Sequence, residues 1–151
     1  MKKNGFTLVE LLAVIVVLGI IMSIAGTAVL KQKKKANIEE AKKIEQTITD
    51  LGANIYSYEY LVGVKDSENY FYKSYKNLSD GSSIKISFDE LKEAGYLKSE
   101  TISNPAGKGN CKGYLEVKKG PEFKAYISCD NLYETHNYDS STFESVNLTK
   151  N

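Results

Sequence analysis

The chain has 151 residues, a formal net charge of +1 and 26% charged residues. This length allows one domain plus an appendage. The balanced charge gives no field that would attract nucleic acid or acidic substrates. All 20 basic residues are lysines. Arginine is the preferred residue for bidentate phosphate contacts, so its absence also disfavours a dedicated nucleic-acid reader.

The N-terminus combines a short basic leader with a long apolar segment. The leader ends in Gly5, and the apolar run from Phe6 to Leu30 carries one charge, Glu10. As a helix this run spans roughly 37 Å, enough to cross a bilayer. An ionised carboxylate in a lipid-spanning helix is costly unless it is paired, so Glu10 marks a functional position. A plain signal anchor is the alternative interpretation of the apolar run.

The lysines after the apolar run and the two cysteines predict opposite orientations of the chain in the membrane. A lysine cluster follows the run, made of Lys31, Lys33, Lys34 and Lys35. The positive-inside rule would place this cluster in the cytoplasm. A disulfide between Cys111 and Cys129 would instead require the C-terminal part to lie outside, where disulfides persist.

The stretch Lys-Lys-Asn-Gly-Phe-Thr-Leu-Val-Glu at residues 2–10 resembles the class III signal of type IV pilins and pseudopilins. The shared pattern is a basic leader, a Gly, and then Phe-Thr-Leu-x-Glu at the head of an apolar helix. The resemblance implies that a prepilin peptidase removes the leader 1–5 by cutting after Gly5 and methylates the new amino terminus at Phe6. It also implies a single-pass precursor in the cytoplasmic membrane, with the leader inside and the remainder outside, against the positive-inside rule.

Cleavage would create a cationic amine at Phe6, where the apolar packing begins. In a helical filament we expect the amine of one subunit to pair with Glu10 of a neighbour, because neither charge is stable alone in an apolar core. Such a pair would fix the axial register of the subunits. The local alternative is that Glu10 responds to its own helix dipole and to Phe6, its i−4 neighbour.

Beyond the lysine cluster, the pattern predicts an amphipathic half of the same helix over 31–62. No Pro interrupts residues 6–62. Apolar residues recur every three or four positions, which indicates one buried face. These residues are Ala41, Ile44, Ile48, Leu51, Ile55, Tyr58 and Val62. We expect this face to pack on a sheet; a coiled-coil dimer is the alternative.

Two glycines, Gly19 and Gly26, weaken the helix inside its apolar half. In some pilin filaments the helix melts between a Gly and a Pro in this region. Gly19 fits that Gly, although this chain has no Pro there. Close helix packing through small residues is the alternative role for both positions.

Residues 63–151 are predicted to form a globular head. The polar stretch 63–83 is typical of a connecting loop, and 84–86 of a short strand. Ser87 and Glu90 form a capping-box pattern that begins a short helix, which Gly95 ends. The alternation over 142–148 predicts a final strand.

The strongest structural prediction in the head is a β-hairpin around residues 119–121. Pairing residues whose numbers sum to 240 places the apolar side chains of both strands on one face, whereas a slip of one residue scrambles both faces. This register sets Cys111 opposite Cys129, within disulfide range. We therefore predict a hairpin stapled by that disulfide; two reduced, buried cysteines are the alternative.

The sequence predicts neither an enzyme nor a cofactor or metal site. His136 is the only histidine, and we place it on the surface, because a catalytic triad or a histidine metal site needs partners. The acids Asp130, Glu134 and Asp139 do not match a calcium loop.

These features predict an α+β, pilin-like fold, in which the C-terminal half of a helix over about 6–62 packs on a small antiparallel sheet. The resemblance implies a structural subunit of a type IV pilus that polymerises with itself, using an assembly platform and an ATPase, into an extracellular filament for adhesion, motility or biofilm. The lysine-rich composition suggests an AT-rich bacterial genome, and the stretch 89–97 is similar to a segment common in Gram-positive pilins and pseudopilins. Alternatives are a pseudopilin of a type II secretion or DNA-uptake system, where nucleic acid becomes relevant, and a membrane-anchored binding module that never polymerises.

Overall fold

A computed structural model describes residues 7–62 and 70–150 of the chain. By its internal contacts the chain forms two units, Met1–Ala36 and Asn37–Asn151. We call them the N-terminal unit and the C-terminal unit.

The predicted long helix is present. Helix α1 covers Leu8–Tyr56, and a π-helical segment at Ser57–Val62 continues it. Its N-terminal part is long and apolar enough to cross a membrane, as judged by length and composition. Gly19 and Gly26 both lie within α1, and a Cβ atom at either position would meet no atom within 4 Å.

The C-terminal unit is built on a four-stranded antiparallel sheet. Its strands are β1 Ser83–Ser87, β2 Lys112–Lys118, β3 Glu122–Cys129 and β4 Tyr133–Glu134, hydrogen-bonded in that order. The predicted hairpin register is confirmed, since Val117 pairs with Phe123 and Gly113 pairs with Ile127. The α+β, pilin-like architecture predicted from the sequence is therefore correct.

The part of α1 within the C-terminal unit packs on the apolar face of the sheet. Both elements contribute fully buried residues to one core, among them Ala41, Ile48, Ile55, Leu115, Val117, Ala125 and Ile127. The contact is close at Gly52, where an added Cβ would lie 2.9 Å from Phe123. Thr49 Oγ1 also accepts a hydrogen bond from the backbone N–H of Ala125, at 2.9 Å. The structure thus favours the helix-on-sheet arrangement.

The predicted apolar stripe is wrong at its last two positions. Tyr58 is 42% exposed and Val62 is 80% exposed, whereas Glu59 is fully buried. The reason is that the backbone widens into a π-helix at Ser57, and the i→i+5 spacing of that segment rotates its side chains away from the faces that an α-helix would give.

The stretch predicted as a loop contains a helix. Helix α2 covers Tyr70–Lys76 and buries Phe71 and Tyr75, because these aromatics lie four apart on one face. The short helix predicted at the capping box is confirmed as α3, Phe88–Glu93, and Ser87 accepts a hydrogen bond from the N–H of Glu90. A 3₁₀ turn follows at Ser99–Ile102.

The strand predicted over 142–148 is also wrong. This segment has no regular secondary structure, although Val146 and Leu148 are buried in the core. Phe143 packs edge-on against Tyr114, with ring centroids 4.9 Å apart, so the C-terminal residues also cover part of the second sheet face. Burial of Val146 and Leu148 explains the alternation of apolar and polar residues at the end of this segment. The last strand of the sheet is β4, which pairs with β3.

Candidate functional site

The start of α1 is a reciprocal capping box. The backbone N–H of Thr7 donates to Glu10 Oε2 at 2.9 Å, and the Thr7 hydroxyl donates to the same oxygen at 2.8 Å. In return, the N–H of Glu10 donates to Thr7 Oγ1 at 3.4 Å. The Thr7 N–H is therefore satisfied by a side chain, and the Glu10 N–H also donates to the backbone carbonyl of Thr7 at 3.1 Å. Thr7 was not predicted as a partner of Glu10, for which only Phe6 and the helix dipole were expected from the sequence.

Both Thr7 bonds use one oxygen of the Glu10 carboxylate. Among the described residues, Glu10 Oε1 receives no hydrogen bond, and the side chain is exposed. The structure thus supports a local role for Glu10 at the start of its own helix. In the part of the chain that the structure describes, this role leaves the Oε1 atom of the carboxylate available. Gly5 and Phe6, the predicted processing residues, lie outside the described residues.

The apolar side chains of the N-terminal unit are exposed wherever the structure describes them. None of the most apolar 18-residue stretch of the helix is buried, and Leu8, Ile15 and Ile24 are each more than half exposed. A helix that is apolar on every side is stable only in lipid or among other apolar helices. This segment therefore needs an apolar environment.

The predicted disulfide is present between Cys111 and Cys129, whose Cα atoms lie 4.3 Å apart. Both cysteines are buried in the core. They flank the paired residues Lys112 and Ser128, so the bond closes the open end of the hairpin.

Two carboxylates on the long helix hold the C-terminal unit together, and sequence analysis missed both. Glu59 accepts hydrogen bonds from the N–H of Thr149 at 2.8 Å, from the Thr149 hydroxyl at 2.9 Å and from Tyr96 Oη at 3.0 Å. Glu45 accepts from the hydroxyls of Tyr133 and Thr135 at 2.8 and 2.9 Å. Their partners lie 37 to 90 residues away along the chain, so no local pattern identifies them.

Contacts with the rest of the C-terminal unit shift the pKa values of two groups in the polar segment after β3. Burial, followed by the hydrogen bond to the Glu45 carboxylate, raises the pKa of Tyr133. Hydrogen bonds from Ser141, followed by one from Lys85, lower the pKa of Asp139; the Lys85 Nζ atom lies 3.1 Å from Asp139 Oδ2. His136 is exposed, as predicted.

Among known families, residues 1–26 match the prokaryotic N-terminal methylation motif. The chain carries a type IV pilin-like class III signal. The match covers the leader, Glu10 and most of the exposed apolar part of α1. No curated protein and no solved structure matches the chain. The motif supports a precursor of the pilin or pseudopilin type, and proteins of this type are structural rather than enzymatic.

Proposed function

We propose that the chain is a structural subunit of a type IV pilus. The observation that carries the proposal is the class III signal at the start of an apolar helix whose most apolar 18-residue stretch is exposed among the described residues. Lipid would cover this helix in the precursor, and the same helices of neighbouring subunits would cover it in a filament. The proposed organisation is a leader 1–5, a membrane and filament-core segment 6–30, an amphipathic segment 31–62 and a head 63–151.

Processing would convert the precursor into an assembly-competent subunit. A prepilin peptidase would cut after Gly5 and methylate Phe6, with the leader on the cytoplasmic side and the head outside. An assembly platform and its ATPase would then extract the subunit into an extracellular filament.

The geometry of Glu10 is compatible with two roles at once. Oε2 caps the helix through Thr7, and Oε1 is available to accept a hydrogen bond from the Phe6 amine of a neighbouring subunit. Burying either charge alone in a filament core would cost several kcal/mol, which makes the pair a condition for assembly. Pairing with the amine requires the negative charge of Glu10, whereas capping requires only a hydrogen-bond acceptor at this position.

A set of three variants separates the two roles. Glu10→Gln removes the charge and keeps an acceptor for the Thr7 cap. Thr7→Val removes the hydroxyl bonds of the cap and keeps the charge and the backbone bond from Thr7 N–H. Glu10→Ala removes both the charge and the acceptor. We expect all three proteins to be processed, with intact mass showing loss of residues 1–5 and one added methyl group. Electron microscopy of cells should show that both Glu10 variants lack filaments and that Thr7→Val forms them.

Other outcomes identify other functions. Normal filaments from Glu10→Gln would contradict the charge pairing. Short assemblies that span only the cell envelope would indicate a pseudopilin of a secretion or DNA-uptake system. A precursor that keeps its leader and never polymerises would indicate a membrane-anchored surface module.

A further inference from the structure

The lysine cluster lies directly after the apolar part of α1, and all four of its side chains are exposed. No Asp or Glu occurs between Glu10 and Glu39 in the sequence. The two ion pairs found within residues 7–62 and 70–150 both lie in the C-terminal unit. The cluster therefore carries four lysine charges that no carboxylate of the described chain neutralises.

The four lysines surround the helix. Lys31, Lys34 and Lys35 are spaced i, i+3 and i+4, so they share one face. Lys33 lies about 200° from Lys31 around the axis and points to the opposite side. A partner that bound one face of the helix would leave Lys33 without a counter-charge. A planar layer of negative charge that the helix crosses would contact all four.

We infer that the lysine cluster binds the phosphate groups of anionic phospholipids in the leaflet where the helix leaves the membrane. Lysine stems lie along apolar surface while their ammonium groups reach the headgroup level. Each lysine near an anionic membrane surface strengthens binding to that surface by about fivefold. The inference rests on the membrane-anchored precursor of the proposed function, and it does not depend on filament formation.

The test uses the full chain reconstituted into bilayers of phosphatidylcholine with phosphatidylglycerol. Electron paramagnetic resonance with the same acyl spin label on either lipid measures which headgroup contacts the protein. We expect the wild type to prefer phosphatidylglycerol by about fivefold or more. Replacing all four lysines of the cluster by Gln should strongly reduce the preference, and what remains should match the contribution of Lys2 and Lys3 at the other end of the apolar run. Raising the salt from about 0.1 to 1 M shortens the screening length from about 10 to 3 Å and should weaken it.

A matched variant controls for net charge. Gln at four other exposed lysines, Lys42, Lys43, Lys108 and Lys112, lowers the charge equally and should keep the preference. Equal association of both lipids with the wild type would overturn the inference and leave the proposed function intact. An equal loss of the phosphatidylglycerol preference in the control variant would do the same. Failure of the wild type to insert into bilayers would overturn both.

Discussion

At the scale of single residues, two short-range features explain how the long helix begins and how it meets the sheet. Thr7 and Glu10 are three positions apart, which is the spacing of a capping box, so the helix start was readable from the sequence once Thr7 is included. Gly52 was not readable in this way. Its reason is Phe123, a residue far along the chain that packs closely over Gly52.

We predict that Gly52→Ala destabilises the C-terminal unit. Its new Cβ would lie 2.9 Å from the Cβ, Cγ and Cδ1 atoms of Phe123, and the Cβ atom of Phe123 cannot move without shifting β3. Overpacking costs about 1–3 kcal/mol, while Ala gains about 1 kcal/mol of helix propensity over Gly, so the net loss should be up to about 2 kcal/mol. Thermal denaturation of the full chain in detergent, followed by near-ultraviolet circular dichroism of the tyrosines, measures it.

The control for this variant is Asn54→Ala, at an exposed position of the same helix. It should raise stability by a few tenths of a kcal/mol through propensity alone. A similar gain for Gly52→Ala would show that Phe123 moves aside without cost.

At the scale of elements, what could be predicted depends on sequence separation. The β2–β3 register was predictable because a tight turn and two alternating strands specify it locally. The segment 142–148 was misassigned because alternation also arises in an irregular chain that buries every second side chain. The end of the helix was misassigned because the π-helix that begins at Ser57 turns Glu59 into the core. A sequence does not distinguish a buried acid from a solvent-exposed one.

We predict that Glu59→Ala releases the C-terminal segment. The change removes the acceptor for the N–H and hydroxyl of Thr149 and for Tyr96 Oη. These hydrogen bonds are partly buried, and a hydrogen bond to a charged group contributes about 1.5–3 kcal/mol. Hydrogen–deuterium exchange should show faster exchange at the amides of Leu148 and Thr149, with a loss of about 2–3 kcal/mol in stability.

An exposed acid on the same helix gives the comparison. Glu40→Ala should change stability by less than about 0.5 kcal/mol. If Glu59→Ala leaves exchange of the C-terminal amides unchanged, the apolar contacts of Val146 and Leu148 hold that segment without the carboxylate.

At the scale of the whole molecule, the two units differ in what covers their apolar surface. The C-terminal unit buries its apolar residues in a core formed by the helix and the sheet. The apolar residues of the N-terminal unit remain exposed. The sequence predicted this division because hydropathy and helical periodicity extend over many residues. The partners of Glu45, Glu59 and Gly52 arise only from the three-dimensional arrangement.

We predict that the C-terminal unit loses stability in alkali. Burial is the first cause that raises the pKa of Tyr114, Tyr133 and Tyr138 above the ordinary value of 10.0. Since the folded pKa is the higher one, this contribution to stability is fully present below pH 10 and is lost as the pH rises towards and through the folded values. Melting temperatures measured across that range should fall.

Tyr133→Phe should reduce this alkaline fall, because it removes one of the phenols whose pKa burial raises. Tyr58→Phe, at an exposed position, is the matched control and should leave the profile unchanged. A Tyr133→Phe profile with the same slope as the wild type would show that Tyr133 does not contribute.

The disulfide has a mechanical consequence for a chain that is held at both ends. The covalent path from the N-terminus to the C-terminus passes from Cys111 directly to Cys129, so residues 112–128 lie outside the line of tension. A pulling force cannot lengthen the β2–β3 hairpin while that bond is intact. The load falls instead on the non-covalent contacts between helix and sheet, such as Thr49 with Ala125 and Glu45 with Tyr133. These contacts are where the C-terminal unit would yield first under force.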